Sequence, residues 1–250
     1  MLTSTIDTPL LVDHHRSSSF KQTGYTTAAV LDQTSIDCLA ALADVTLKAM
    51  GTGFFTSVMQ PPSERRRVHD LICQHLVPAI TPHLQNYRVV LASIVGRSPG
   101  SGQSDLPLHQ DWSFVDETRA QSMSIWIPLQ PVTPANGCMQ VVAGSHRHNQ
   151  PLRHIGSGFR YNSIEADLRK NYLTDVNLEA GEALFFDHRL IHGSNSNHSD
   201  KPRLALGAVL LPRNEPLHMG ITSAGKTEFA NKADDFLLTA DLANIARPTR

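Results

Sequence analysis

The chain has 250 residues, 22 Lys and Arg against 23 Asp and Glu, a formal net charge of −1 and 40% hydrophobic residues. That balance leaves no basic footprint for nucleic acid or an anionic membrane, and no apolar run approaches the roughly 20 residues of a membrane-spanning helix. Cys38, Cys73 and Cys138 are scattered, odd in number and without metal spacing, which fits a reducing compartment, and residues 1–12 lack the basic start of a secretory leader, so a cytoplasmic location is expected.

Residues 1–30 read as an arm leading into a first strand. From Ile36 the apolar positions Leu39, Ala40, Ala43, Leu47 and Met50 follow helical spacing, and Gly51-Thr52-Gly53 stops that helix. A second helical pattern begins after Ser63 with Val68, Leu71, Ile72, His75, Leu76, Ala79 and Ile80, and Pro78 is expected to kink or end it. Arg65-Arg66-Arg67 reads as a solvated helix face. His69, His75 and His83 read as helix-surface or packing residues.

From Tyr87 the rhythm becomes that of strands. Tyr87–Val95 is β-rich, and residues 97–102 form a loop. Leu106–Ser113 and Met123–Leu129 are further strands. Asn136-Gly137 signals a hairpin between the second of these and Cys138–Val142. Residues 147–174 read as an insertion with a short helix near 164–172. Strands resume at 176–178, 183–186, 191–194 and 203–211, and the tail from Thr227 is expected to close with a helix. Short strands behind a helical start predict a mainly β sandwich or barrel with helices packed outside. The expected organisation is one domain, with a mainly helical part at 1–86, a β core at 87–212 and a tail at 213–250.

One stretch carries chemistry: Leu108-His109-Gln110-Asp111-Trp112. With 13 His and 16 Asp in 250 residues, chance supplies about one His-x-Asp match, and His198-Ser199-Asp200 is a second match inside a turn-forming run. On a strand His109 and Asp111 share a face. A third imidazole would complete two histidines and one carboxylate, the set suited to non-haem Fe(II) with open positions. The alternative for this pair is a buried His–Asp contact with no metal. His192 is favoured as the third ligand over His188, because it stands near a strand end. Arg203 follows eleven residues later, and a hairpin would return it near His192, with Ser194 on the same face. A buried guanidinium needs an anion, unless Arg203 lies at the surface against Asp200.

His109-Gln110-Asp111, Trp126, the segments 136–146 and 181–186, His192-Gly193-Ser194 and Arg203 form an ordered set that resembles the phytanoyl-CoA dioxygenase superfamily over about Tyr87–Pro212. The resemblance implies a double-stranded β-helix, jelly-roll or cupin-like, with His109, Asp111 and His192 holding Fe(II). It implies Arg203 and Ser194 on the distal carboxylate of 2-oxoglutarate, and Trp126 and Gln110 lining the cosubstrate pocket. The implied activity is oxidation, chiefly hydroxylation, of a small molecule, free or carrier-bound, with O2 consumed and succinate and CO2 released; a role in secondary-metabolite biosynthesis is one setting for it. Two other classes stay open: a cupin-like isomerase or lyase that does not use 2-oxoglutarate, and a metal-free binding protein. Phe54-Phe55, Arg97, Trp112 and Phe114 are candidates for a substrate wall.

Overall fold

The computed structural model describes residues 11–50, 53–100, 106–148, 151–155, 157, 159–223 and 226–245. The first helix, α1 (His14–Thr23), lies in the stretch expected to be an arm. Its ends are set locally: the Asp13 carboxylate accepts from the Arg16 backbone N–H, and Gly24 at φ 89° closes the last turn. No apolar stripe announces it, which is why periodicity passed over it. Strand β1 (Tyr25–Ala29) follows, then α2 (Gln33–Met50), β2 (Phe54–Thr56) and α3 (Pro62–Ile80). α3 runs through Pro78, which stands in its last turn with only Ala79 and Ile80 beyond, and a 3-10 turn continues to His83. Two helices thus bury Ile36, Leu39, Ala43, Val68, Ile72, Leu76 and Ile80, the positions their spacing selects.

The core strands are β3 (Tyr87–Arg97), β4 (Leu106–His109), β5 (Met123–Pro128), β6 (Met139–Val142), β7 (Leu173–Val176), β8 (Glu182–Asp187), β9 (His192–Ser194) and β10 (Arg203–Pro212). A short helix, α4 (Glu165–Asn171), precedes β7. They form a six-stranded sheet in the order β1-β8-β5-β10-β3-β2 and a four-stranded sheet in the order β4-β9-β6-β7, all antiparallel. This is a mainly β jelly roll with helices packed outside. Alternation assigns the faces: Leu206, Ala208 and Leu210 of β10 join Ile125, Ile127 and the helices, while Ala205 joins Trp126, Met139, Val141 and Phe186 between the sheets.

Asn136-Gly137 does not close a hairpin. β5 and β6 lie in different sheets, and the turn between them is a 3-10 turn at Pro134–Asn136 capped by Thr133, with Gly137 at φ 83°. A Cβ on Gly137 would stand 2.8 Å from the Asn195 carbonyl, so the left-handed glycine serves a crossover between sheets. The tail also differs from expectation. Thr227 lies in a strand, β12 (Lys226–Lys232), paired with β11 (Leu217–Ser223), and among the described residues two single turns, α5 (Phe236–Thr239) and α6 (Leu242–Ile245), follow. Arg65 is not on a solvated face. It is 1% exposed and donates to the carbonyls of Gln60, Leu237 and Ala240, fastening α3 to those turns. Arg66 and Arg67 pair with Asp235 and Glu64. Among the described residues no helix is long and apolar enough to cross a membrane.

Candidate metal centre

β4 and β9 pair so that His109 and His192 stand directly opposite one another. Their ring centroids are 4.3 Å apart. Asp111 lies two residues past His109, and one ligand atom from each of the three side chains lies within 4.8 Å of the others. His192 Nε2 is 3.8 Å from Asp111 Oδ1. Each histidine has its other nitrogen engaged: His109 Nδ1 meets the Pro107 carbonyl at 2.8 Å and His192 Nδ1 meets the Leu190 carbonyl at 2.9 Å. A carbonyl only accepts, so both Nδ1 atoms carry the proton and both Nε2 lone pairs are free for a metal ion. Burial, reinforced by the neighbouring His192, pushes His109 down to about 4, so it is neutral at pH 7. Burial alone would raise Asp111, but His192, His188 and His109 and the Ser124 hydroxyl more than offset this, and its carboxyl stays below the ordinary range.

The loop that delivers His192 is braced by Asp187, which is buried and takes both arms of Arg189 at 2.9 and 2.7 Å as well as the Gln121 amide. His188 is fully buried and stands outside the three-ligand set, with its nitrogens on Ser122 Oγ at 2.6 Å and Ser124 Oγ at 3.0 Å. Ser124 in turn donates to Asp111 Oδ2 at 2.7 Å. The backbone of Asp111 is held by Arg153 Nε, 2.6 Å from its carbonyl, and Arg153 forms a buried pair with Glu117.

The other end of the site is built by the six-stranded sheet. Arg203 and Arg97 are direct cross-strand partners on β10 and β3. Like charges in that relation are destabilising, and both side chains are at most 2% exposed. Arg97 Nη2 donates to Ser194 Oγ at 3.0 Å. The Arg203 guanidinium carbon lies 5.2 Å from the Trp126 ring centroid, and its Nε and Nη1 atoms are buried without a hydrogen-bond partner in the protein. Burial and Arg97 lower Arg203 to about 9, which leaves it cationic at neutral pH. A buried, charged donor with open N–H groups is built to receive an anion.

A cavity of about 200 Å³ joins the two ends. It is lined by His109, Asp111, His192, Ser194, Arg203 and Trp126, with Ser93, Leu91, Val209 and Phe186 as walls and Phe54, Thr56 and Val58 at the edge. Arg203 reaches it from the facing sheet, since β9 and β10 do not pair. No hairpin returns it, and Asp200 is not its partner. Gln110 is turned away: its amide donates to the Arg189 carbonyl at 2.5 Å and accepts from the Tyr161 hydroxyl at 2.8 Å. The expected strand Leu106–Ser113 ends at His109, so Gln110 and Asp111 stand past it, and side-chain bonds rather than alternation turn Gln110 toward Arg189 and Tyr161 and Asp111 toward Ser124. His198 is exposed in its turn. Of the substrate-wall candidates only Phe54 lines the cavity; Phe55 is core against Gly96, and Trp112 and Phe114 belong to another cluster. Arg97 ends a strand rather than opening a loop. Ser124 and Ser122 went unnoticed in the sequence, though serines on the Trp126 face of an apolar strand were the available signal.

The sequence profile of the phytanoyl-CoA dioxygenase (PhyH) family matches residues 27–205. Phytanoyl-CoA dioxygenase of Arabidopsis thaliana is 31% identical over 120 residues, which is 47% of this chain and 42% of the relative. The chain thus spans under half the length of that relative. Among solved structures, the non-heme alpha ketoglutarate dependent carbocyclase SnoK from nogalamycin biosynthesis superposes with a TM-score of 0.62 at 18% identity, over 88% of this chain and 97% of that one. HygX from Streptomyces hygroscopicus, solved with nickel, 2-oxoglutarate and hygromycin B bound, gives 0.56 at 18% identity over 81% and 88%.

Proposed function

The chain belongs to the phytanoyl-CoA dioxygenase family, and from that premise we propose that it is an Fe(II)- and 2-oxoglutarate-dependent oxygenase that hydroxylates a small molecule, free or carrier-bound. The observation that carries this reading is the His109–Asp111–His192 set with both Nε2 lone pairs free. Two imidazoles and one carboxylate fit iron that must keep positions open for cosubstrate and oxygen. The open N–H groups of buried Arg203 fit the distal carboxylate of 2-oxoglutarate. Bound iron supplies the oxidation, in which 2-oxoglutarate, O2 and a C–H bond become succinate, CO2 and C–OH.

The protein's own share is placement. Asp111 Oδ1, beside His192 Nε2, is the carboxylate oxygen offered to the metal. Ser194 Oγ accepts from Arg97, so its hydroxyl proton is free to donate to the anion at Arg203. Trp126 backs the guanidinium. Leu91, Val209 and Phe186 keep the passage between the two ends dry. Phe54, Thr56 and Val58, from the edge strand β2 and the turn after it, would meet the substrate. The same architecture serves a desaturation or cyclisation as readily, and hydroxylation is the default because oxygen return to the substrate carbon needs no further residue.

The test is release of labelled CO2 from 1-labelled 2-oxoglutarate with Fe(II) and air, with succinate measured in parallel. Turnover that depends on iron and disappears in His109→Ala supports the reading. Iron binding without any decarboxylation, over a broad set of candidate substrates, would favour a metalloenzyme that does not use 2-oxoglutarate.

A further inference from the structure

We propose that Ser122, His188 and Ser124 form a proton-ordered hydrogen-bond chain that occupies Asp111 Oδ2, so that Asp111 offers a metal ion one oxygen, Oδ1. This rests on the metal-site reading above. Asp111 lies beyond the end of β4, where no ladder holds it. Arg153 Nε fastens its backbone carbonyl. Its side chain must be aimed by other means, because a loose carboxylate can swing or present both oxygens.

The direction of every bond in the chain follows from what each group can do. A carboxylate only accepts, so Ser124 spends its one hydroxyl proton on Asp111 Oδ2. Ser124 Oγ therefore has only lone pairs left for His188 Nε2 at 3.0 Å, and that nitrogen must carry the proton. Neutral His188 then has an unprotonated Nδ1, and Ser122 must donate to it at 2.6 Å. The result is the opposite tautomer from His109 and His192, whose protons sit on Nδ1. It also removes His188 from the competition for the metal: four residues from His192, it has its Nε2 lone pair replaced by a proton. Phe114, 4.8 Å from the His188 ring, and complete burial keep that ring from turning. His188 is thus a positioning residue that acts through Ser124.

The experiment is a Co(II) titration of the metal-free 250-residue protein, read by the visible bands that report ligand geometry. His109→Ala is the reference; if it binds Co(II) like the parent, the metal-site reading itself has failed. With that reference lost as expected, Ser124→Ala should weaken binding about 10- to 100-fold and change the band shape. His188→Leu, which keeps the bulk and removes both nitrogens, should weaken it about 10-fold. His188→Gln, which can donate to Ser124 and accept from Ser122, should restore parental binding and band shape. In a Ser124→Ala background His188→Leu should add nothing. The proposal is overturned if the two losses multiply, if Gln binds as poorly as Leu, or if Ser124→Ala binds normally. Thermal midpoints of the metal-free variants separate a failure to fold from a failure to aim the carboxylate.

Discussion

The two sheets play different parts and are held differently. The six-stranded sheet contributes β3 and β10, paired from Tyr87 to Arg97 and from Arg203 to Pro212, with β5 paired on the other side of β10, and its site residues Arg203, Trp126 and Ser93 are fixed by these ladders and by the helices behind them. The four-stranded sheet has strands of three or four residues, and it carries His109 and His192. Its ladder is too short to fix a site, so side chains complete the positioning. Arg153 holds the Asp111 carbonyl, Gln110 ties Tyr161 to Arg189, and Asp187 braces the His192 loop. The anion end of the cavity is therefore built by backbone pairing and the metal end by side-chain hydrogen bonds. Substitutions of supporting side chains should injure the metal end far more than the anion end.

The largest effect tests whether the metal end is what the geometry implies. His192→Ala should abolish stoichiometric iron binding and 2-oxoglutarate turnover, measured by metal analysis and CO2 release, while His198→Ala, exposed in its turn, should leave both unchanged. Reversal of that pair would break the assignment of the third ligand.

Next comes the brace. Arg153→Met leaves Glu117 buried and unpaired, which should cost about 3–5 kcal/mol in urea unfolding of the metal-free protein. It should also weaken iron binding while sparing Arg203. A loss below about 1 kcal/mol would mean that the short sheet does not depend on this side chain.

Arg203→Lys addresses the ladder-built end. The strand places the residue regardless, so the fold and iron binding should stand, but the two-armed donor is lost. Loss of one charge-assisted hydrogen bond, about 1.5–3 kcal/mol, should raise the 2-oxoglutarate Kd of the iron-bound protein roughly 10- to 150-fold. Unchanged binding would remove the basis for assigning the cosubstrate there.

The last expectation is a pH dependence confined to the metal end. Burial lowers His188 from 6.5 to about 4, and burial with His192 does the same to His109. Both are neutral in the fold, so the unfolded chain takes up protons first as the pH drops. Stability from these groups is complete above pH 6.5 and is lost as the pH falls from 6.5 to about 4. The thermal midpoint of the metal-free protein should fall across that window, by on the order of 2–4 °C per kcal/mol for a chain of this size. Asp111 and Asp187 contribute their loss below the ordinary carboxylate range. A flat profile from 6.5 to 4 would show that these histidines are more hydrated than their surroundings suggest.

Much of the site was legible in the sequence, because the His-x-Asp spacing keeps His109 and Asp111 close along the chain; the strand expected to align them stops at His109, and Ser124 and Arg153 do the aiming. Gln110 was not legible, since its bonds to Arg189 and Tyr161, both distant in the chain, decide where its side chain lies. Arg65 was not legible: a charged run on a helix looks solvated until the carbonyls of Leu237 and Ala240 arrive from the other end of the chain. α1 was not legible either, since caps rather than an apolar stripe define it.

By itself the sequence determined the chemical set, two imidazoles, a carboxylate, a hydroxyl and a guanidinium, and the strand period that aligns neighbours within a segment. The tertiary structure alone decided which sheet each segment entered. Asn136-Gly137 has the chemistry of a hairpin and makes a crossover, and Arg203 meets the cavity from the facing sheet rather than along a hairpin. It also decided the tautomers, because a ring nitrogen takes its proton state from the partner opposite it: a carbonyl for His109 and His192, a spent serine for His188. Period and side-chain chemistry are local and written in the chain; sheet membership and hydrogen-bond polarity depend on which distant faces bury together.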